Sequence, residues 1–152
     1  MLSDFDPSAF FSSGVLLDLS HMSLGQSIDD EDLEAAEEAA GLAVREGEIV
    51  IIQTALNEPT LNRSTIFPTL SRNGVEYLEF KHVAAVGVDA PSVDRRDAEP
   101  LEVHMALFER DLFVIENLCN LGRLDESRFR LVALPLNLRG GVAPARIIAI
   151  LE

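Results

Sequence analysis

Two blocks of sequence, AVGVDAPSVD at residues 85–94 and PLEVHMALFERDLFVIENLCNL at residues 100–121, contain the pattern that decides the fold. Residues 84–89 and 112–115 are short apolar runs bounded by polar or turn-forming residues, so each is predicted to be a buried strand. Residues 101–110 lie between them and are predicted to form a helix. A strand, a helix and a second strand in succession are typical of an α/β domain.

The same alternation extends towards the amino terminus. Residues 14–20 contain the apolar run VLLDL, which predicts a strand. A helix follows, with Asp29 as its N-cap and Gly41 as its stop. Its inner face is predicted to hold Leu33, Ala36 and Ala40, and its water-facing side Glu34, Glu37 and Glu38. These acids also suggest a cation-binding surface, but a solvated helix face is the more common role.

The remaining elements predict a mixed sheet. Residues 48–53 hold four consecutive β-branched residues, which favour a central strand. A helix is predicted to begin at Thr69 or Ser71 and to end near His82. The last two strands are predicted at residues 129–138 and 145–151, joined across residues 139–141 by a turn that needs glycine at positive φ. The sequence therefore predicts an α/β domain over residues 14–152, with two or three helices, preceded by an arm at residues 1–13.

Composition narrows the classes of partner. A net charge of −14 would repel phosphate backbones, so nucleic acid is not an expected partner. The apolar runs are far shorter than the ~20 residues that cross a bilayer, and no signal peptide is evident, so we expect a cytoplasmic protein without membrane contact. Cys119 is the only cysteine, which fits a reducing compartment. It is predicted to be buried and inert, with a thiolate beside a metal as the alternative.

The central candidates for chemistry are His104, in the predicted helix, and Glu116, at the end of the strand that follows. A carboxylate at the end of a buried strand needs a cation, a proton or several hydrogen-bond donors in place of water. The pair is therefore a candidate metal half-site. The alternative is a histidine bonded to the backbone and a carboxylate paired with an arginine.

Several blocks of this chain resemble one protein family. They are GVLLDLSH at 14–21, SIDDEDLEAA at 27–36, REGEIVIIQTA at 45–55, GVDAPSVD at 87–94, PLEVHMALFERDLFVIENL at 100–118 and FRLVALPLNLRGGVAPARIIAIL at 129–151. Their order and spacing are similar to those of the cyclase-like metal hydrolases, the family of bacterial kynurenine formamidase and related cyclic-amide hydrolases. The resemblance implies the swivelling β/β/α architecture, a dimer or other homo-oligomer, and a place in tryptophan catabolism.

In that family, a histidine and a glutamate in this context bind a divalent metal, Zn²⁺ or Mn²⁺, which here implies His104 and Glu116. The other ligands come from an earlier H-x-G-T-H-x-D segment, which this sequence does not contain. The resemblance therefore implies a hydrolase of an arylformamide or small cyclic amide that is incomplete on its own. A complementary subunit or a missing segment would supply the other ligands, and the chain itself offers no clear general acid.

Two further interpretations are a catalytically inactive subunit that acts through protein–protein interaction, and a fragment of a longer protein. Candidates for the substrate pocket are Asp89, Ser92 and Asn120. Asp89 and Asp94 either position other groups or form Asx-turn bonds within their own loop, and Asn120 either contacts substrate or holds its loop. His21 is predicted to be a surface histidine rather than a ligand.

Overall fold

A computed structural model describes residues 7–54, 56 and 66–151. Its strands are β1 (Phe11–Asp18), β2 (Ser27–Ile28), β3 (Ile49–Gln53), β4 (Thr69–Leu70), β5 (Ala85–Val88), β6 (Phe113–Ile115), β7 (Arg128–Pro135) and β8 (Ala145–Ile150). Its α-helices are α1 (Asp30–Ala40), α2 (Arg72–Phe80) and α3 (Glu102–Phe108), with short 3₁₀ helices at Pro7–Phe10 and Leu121–Arg123. The predicted α/β class is confirmed, and three α-helices are present where two or three were predicted.

Six strands form one mixed sheet in the order β6-β5-β3-β1-β7-β8, and β2 pairs with β4 separately. The strands β6, β5, β3 and β1 are mutually parallel, whereas β7 runs antiparallel to β1 and β8 antiparallel to β7. The predicted central strand, β3, is buried along its whole length. Because four parallel strands end at one edge, the residues that follow them are brought close together.

The three helices pack on one face of this curled sheet. Their buried side chains, among them Leu33 of α1, Leu78 of α2 and Leu107 of α3, share a core cluster with alternate residues of β1, β3 and β5. The intervening residues, such as Ile49 and Ile51, face the opposite side. Strands that are apolar on both faces read as continuous hydrophobic runs, which explains the sequence pattern.

The opposite face has a smaller apolar cluster. Its buried members include Leu118 and Leu121 from the segment after β6, and Phe129 and Leu131 from β7. A Cβ on Gly87 of β5 would lie 2.6 Å from Cδ1 of Ile51 and 2.9 Å from Cδ1 of Leu118. Glycine at this position therefore allows the segment after β6 to fold closely over the sheet.

Helix α1 begins and ends where the sequence predicts. Asp29 and Asp32 form a reciprocal capping box, and Gly41 takes a left-handed conformation at the other end. The predicted exposure of Glu37 is wrong, however. Glu37 is 7% exposed and its carboxylate accepts hydrogen bonds from Lys81 Nζ at 3.0 and 2.8 Å and from the Val44 amide. A cation on the neighbouring helix end allows an acid to lie on the inner side of α1.

Helix α2 begins at the second of its two predicted starts. Ser71 is its N-cap and accepts a hydrogen bond from Gly74 N, while Thr69 belongs to β4. Gly74 lies against β2, since a Cβ there would be 2.7 Å from the Ile28 carbonyl oxygen. Close contact between this helix and the small sheet therefore depends on glycine.

Two predictions at the chain ends need correction. Strand β1 begins at Phe11, three residues earlier than predicted, and residues 1–6 of the predicted arm lie outside the described residues. The turn between β7 and β8 does not place Gly140 or Gly141 at positive φ; the described glycines with positive φ are Gly25, Gly41 and Gly47. Strand β7 ends at Pro135 and β8 begins at Ala145. The connection is therefore long enough to reverse direction without a tight turn that needs glycine at positive φ.

No helix within the described ranges has both the length and the apolar character needed to cross a membrane.

Candidate metal half-site

Polar residues stand at or directly after the carboxyl ends of all four parallel strands. Asp18 ends β1, Thr54 follows β3, Asp89 follows β5 and Glu116 follows β6. Ligands of α/β sheets commonly bind outside this edge. The side chains gathered here therefore define the candidate site.

His104 and Glu116 face each other at this edge. The first turns of α3 carry His104, whose Nε2 lies 3.2 Å from Oε1 of Glu116. Both side chains are partly accessible, with 16% and 26% of their surface exposed. The structure thus brings together the two residues singled out in the sequence. The acid is paired with the imidazole rather than with an arginine, which contradicts the alternative interpretation.

A second acid completes the surroundings of the imidazole. His104 Nδ1 lies 2.7 Å from Oδ2 of Asp94, and the same carboxylate accepts hydrogen bonds from the backbone amides of Val103 and His104, each at 2.9 Å. Asp94 is 3% exposed. Of the two roles considered for Asp94, the structure shows the first, because its side chain positions α3 and the His104 ring rather than bonding within its own loop.

The residue before Asp94 reaches Glu116. The Val93 amide donates a hydrogen bond of 3.1 Å to Oε1 of Glu116. Adjacent residues of one loop thus hold both candidate ligands, one through a backbone amide and the other through a carboxylate. The relative position of His104 and Glu116 is set by this loop as well as by α3 and β6.

The two ring nitrogens of His104 face different neighbours, Asp94 at Nδ1 and Glu116 at Nε2. A neutral histidine carries one N–H and one lone pair, and a carboxylate is only an acceptor. If the ring proton lies on Nδ1, towards Asp94, then Nε2 and Glu116 present two lone pairs to each other. Either a second proton or a cation between them makes this contact favourable.

These donor atoms fit a divalent metal. Imidazole nitrogen and carboxylate oxygen are ordinary Zn²⁺ ligands, with metal–ligand distances of about 2.0–2.2 Å. Two such ligands of one tetrahedral ion are separated by roughly 3.3 Å, close to the 3.2 Å between Nε2 and Oε1. Among the described residues, no set of three or more His, Cys, Asp or Glu side chains is arranged to hold a metal. Asp94 adds no third ligand because it lies at Nδ1, on the side of the ring away from Nε2 and Glu116.

Asp89 joins β5 to β3 rather than stabilising its own loop. Its carboxylate accepts hydrogen bonds from the Thr54 amide at 3.0 Å and from Thr54 Oγ1 at 2.7 Å. Burial raises the pKa of Asp89, and the nearby charge of Asp18 adds to this, while the bonds from Thr54 oppose it. Of the two roles considered for Asp89, the structure thus shows that of positioning another group, here Thr54. Thr54 was missed in the sequence, where its only signal is a polar residue directly after a central strand.

The other pocket candidates lie around this centre. Ser92 Oγ accepts a hydrogen bond from the Asp94 amide at 3.1 Å, so Ser92 supports the loop that holds His104. Glu116 and Asn117 line an open groove of ≈ 460 Å³ on the face of the sheet away from the helices. Asn120 lines a second groove of ≈ 320 Å³ and donates a hydrogen bond to Cys119 Sγ. Substrate contact by Asp89, Ser92 and Asn120 stays a prediction.

Three residues weighed in the sequence lie at the surface. His21 is exposed, as predicted, and His82 is also exposed. Cys119 is exposed as well, so the prediction of a buried cysteine is wrong. The segment after β6 turns Leu118 and Leu121 inward instead, and this leaves Cys119 on the outer side.

The fold and the site together define an α/β protein with a histidine–carboxylate pair at the carboxyl edge of a mixed sheet. The family described as "Putative cyclase" matches residues 1–95, and the chain belongs to this family.

Curated relatives include kynurenine formamidases. That of Bordetella pertussis (strain Tohama I) is 32% identical over 110 residues, which cover 72% of this chain and 50% of the relative. That of Bacillus cereus (strain ATCC 10987) is 27% identical over 135 residues, which cover 89% of this chain and 60% of the relative. The chain therefore spans about half to three-fifths of the length of these relatives.

Solved structures share the fold. A potential metal-dependent hydrolase with cyclase activity matches with a TM-score of 0.75 and 28% identity, over 95% of this chain and 67% of that one. An isatin hydrolase bound to the product analogue thioisatinate matches with a TM-score of 0.85 over 97% of this chain and 63% of that one. Because the identity is 24%, the second comparison supports the shared fold and nothing further.

Proposed function

We propose that this chain contributes to a metal-dependent hydrolase of a small amide, either an arylformamide such as N-formylkynurenine or a cyclic amide. His104 and Glu116 are the metal ligands that it provides. The remaining ligands come from a complementary subunit or from a segment with the H-x-G-T-H-x-D motif. Such an enzyme would act in tryptophan catabolism in the cytoplasm, as a homo-oligomer or together with that subunit.

One observation carries this proposal: His104 Nε2 and Glu116 Oε1 converge to 3.2 Å at the carboxyl edge of the sheet. Family membership and kynurenine formamidase relatives at 27–32% identity support the reaction class. The likeness in fold and sequence to a potential metal-dependent hydrolase supports a divalent cation.

The chemistry divides between the metal and the chain. A bound Zn²⁺ or Mn²⁺ would supply Lewis acidity, which activates water and polarises an amide carbonyl. The chain holds the imidazole and the carboxylate in place through Asp94 and the Val93 amide. The groove beside Glu116 and Asn117 has apolar walls that include Phe113 and Ile115, which suit the flat ring of an aromatic amide.

A second function is an interaction subunit that keeps the scaffold without the chemistry. The observation in its favour is that the described residues supply only two converging ligands, whereas catalytic zinc sites usually take three from protein. This subunit would act by binding another protein.

Metal binding by the purified chain separates the two functions. We expect wild-type protein dialysed against Zn²⁺ or Mn²⁺ to retain the metal when analysed by mass spectrometry. His104→Ala should lose it, because one of two converging ligands is gone. His21→Ala is the matched control, since His21 is an exposed histidine outside the site, and it should retain metal like the wild type.

The same proteins should be assayed with N-formylkynurenine, alone and after addition of a subunit that carries the H-x-G-T-H-x-D motif. Hydrolysis that depends on both the added subunit and His104 would support the hydrolase. Equal metal contents in wild type and His104→Ala would contradict the half-site and favour the interaction subunit.

A further inference from the structure

We propose that Asp94 is a positioning residue that keeps the proton of the neutral His104 ring on Nδ1 and so presents the Nε2 lone pair at the carboxyl edge of the sheet. The benefit to a metal rests on the proposed function. The position of the proton does not depend on it.

The carboxylate of Asp94 accepts hydrogen bonds from the backbone of α3. Its Oδ1 accepts from the Val103 amide and its Oδ2 from the His104 amide, both at 2.9 Å. Backbone amides can only donate, so both oxygens of Asp94 act as acceptors towards α3. Oδ2 also lies 2.7 Å from Nδ1, closer than the 3.2 Å between Nε2 and Oε1 of Glu116, and an acceptor at that distance calls for a donor on Nδ1.

Asp94 also fixes where the ring lies. The side chain is 3% exposed and bonds to the amide and to the ring of the same histidine, so the first turn of α3 and the imidazole are held by one group. The Val93 amide holds Oε1 of Glu116 on the other side. Carboxylates that orient metal-binding histidines in this way typically raise metal affinity 10–100-fold.

Nitrogen NMR of the histidine rings reads the proton position directly. The chain has three histidines, and His21 and His82 are both exposed, which makes the ring of His104 easy to distinguish. Spectra of ¹⁵N-histidine-labelled protein, freed of metal with a chelator, should be recorded at rising pH until the ring shifts stop changing. Protonated and unprotonated ring nitrogens then resonate far apart. We expect the proton of His104 on Nδ1, whereas His21 and His82 should favour the Nε2–H form of histidine in water.

Two variants test which neighbour of the ring, Asp94 or Glu116, determines the position of the proton. Asp94→Asn keeps the size of the side chain but offers an N–H towards the ring, so the proton should move to Nε2. Glu116→Gln changes the other neighbour and should leave the proton on Nδ1. Asp97→Asn is the matched control, because Asp97 pairs with Arg95 at the surface. Its spectrum should equal that of the wild type.

Zinc titration by calorimetry gives a second readout. Asp94→Asn should weaken Zn²⁺ binding about 10–100-fold, with no change for Asp97→Asn.

Three results would overturn the proposal. They are a wild-type ring protonated on Nε2, a proton that moves in Glu116→Gln, and Zn²⁺ binding by Asp94→Asn that equals that of the wild type. If Asp94→Asn does not fold, the wild-type and Glu116→Gln spectra still show whether the proton lies on Nδ1. A wild type that shows Nδ1–H but binds no Zn²⁺ would confirm the tautomer and count against the metal half of the proposed function.

Discussion

Glu37 and Lys81 show how a single pair of residues can reverse an expectation based on helical periodicity. Their side chains are 10% and 21% exposed, and Nζ of Lys81, the only lysine of the chain, also lies 5.2 Å from the centre of the Tyr77 ring. Burial alone would raise the pKa of Glu37. The bonds from Lys81 and from the Val44 amide outweigh that effect, so the pKa lies below its usual value.

We therefore expect Lys81→Met to destabilise the fold by about 3 kcal/mol at pH 7, because it leaves a buried carboxylate without its cation. The free energy of unfolding from urea titration measures this. Arg72→Met is the control, since its i,i+4 partner Glu76 is exposed and such pairs contribute about 0.3–0.5 kcal/mol. Equal effects of the two substitutions would contradict the importance of burial.

The pH dependence of the same pair has a definite sign. An acid whose pKa is lower in the folded state stabilises the fold above its unfolded value of 4.5, and this contribution is lost as the pH falls through the folded value. The stability difference between wild type and Lys81→Met should therefore shrink below about pH 4. A difference that stays constant down to pH 3 would contradict this account.

Thr54 is a second residue whose importance appears only in three dimensions. Its hydroxyl donates to the buried Asp89, and its own side chain is fully buried. Thr54→Val keeps the shape but removes a donor, so we expect a loss of about 1–3 kcal/mol in the free energy of unfolding. Ser12→Ala, which removes a solvent-exposed hydrogen bond to the Gly47 carbonyl from a half-buried residue, should cost less. A Thr54→Val protein as stable as the wild type would show that Asp89 is satisfied in another way.

At the scale of elements, α2 and the small β2–β4 sheet depend on close backbone contact. Gly74 lies in the first turn of α2, where alanine would normally favour the helix by about 1 kcal/mol. In this fold its Cβ would meet the Ile28 carbonyl oxygen at 2.7 Å.

Gly74→Ala should thus lower the free energy of unfolding by about 1–3 kcal/mol, the usual cost of overpacking, despite the gain in helix propensity. Asn73→Ala, at the exposed neighbouring position, should be neutral or slightly stabilising. Both can be measured by thermal unfolding followed by circular dichroism. A stabilised Gly74→Ala protein would mean that α2 can move away from β2 at little cost.

Elements were predictable wherever local chemistry determines them. The cap at Asp29, the stop at Gly41 and the apolar run of β3 each depend on neighbouring residues, and the structure confirms them. The contacts of Asp94 with α3 were not predictable. They join residues nine and ten positions apart across an irregular loop. The periodic patterns that predict helices and strands do not predict such contacts. His104 and Glu116 were singled out from the acid at the end of a strand and from the family resemblance, and their role as metal ligands stays a prediction.

At the scale of the whole molecule, the chain carries a large negative net charge. A net charge of −14 implies mutual repulsion in the folded state, which salt screens. Raising NaCl from 10 to 500 mM shortens the screening length from about 30 Å to a few ångströms. The urea midpoint should therefore rise with salt at pH 7. Near pH 4.5, where the net charge approaches zero, the midpoint should respond much less. A similar response at both pH values would indicate that screening is not the cause.

The pairing of β1 with β7 bears on how the protein folds during synthesis. Phe11 lies opposite Val132 and Val15 opposite Arg128, so β7 leaves the ribosome more than a hundred residues after the strand that it borders. Until then one edge of β1, whose Val15 and Leu17 are fully buried in the finished fold, has no neighbour, and such long-range pairing is slow to form. The nascent chain is therefore most exposed to misassociation late in translation, when its helices can already be in place but its sheet is not yet closed.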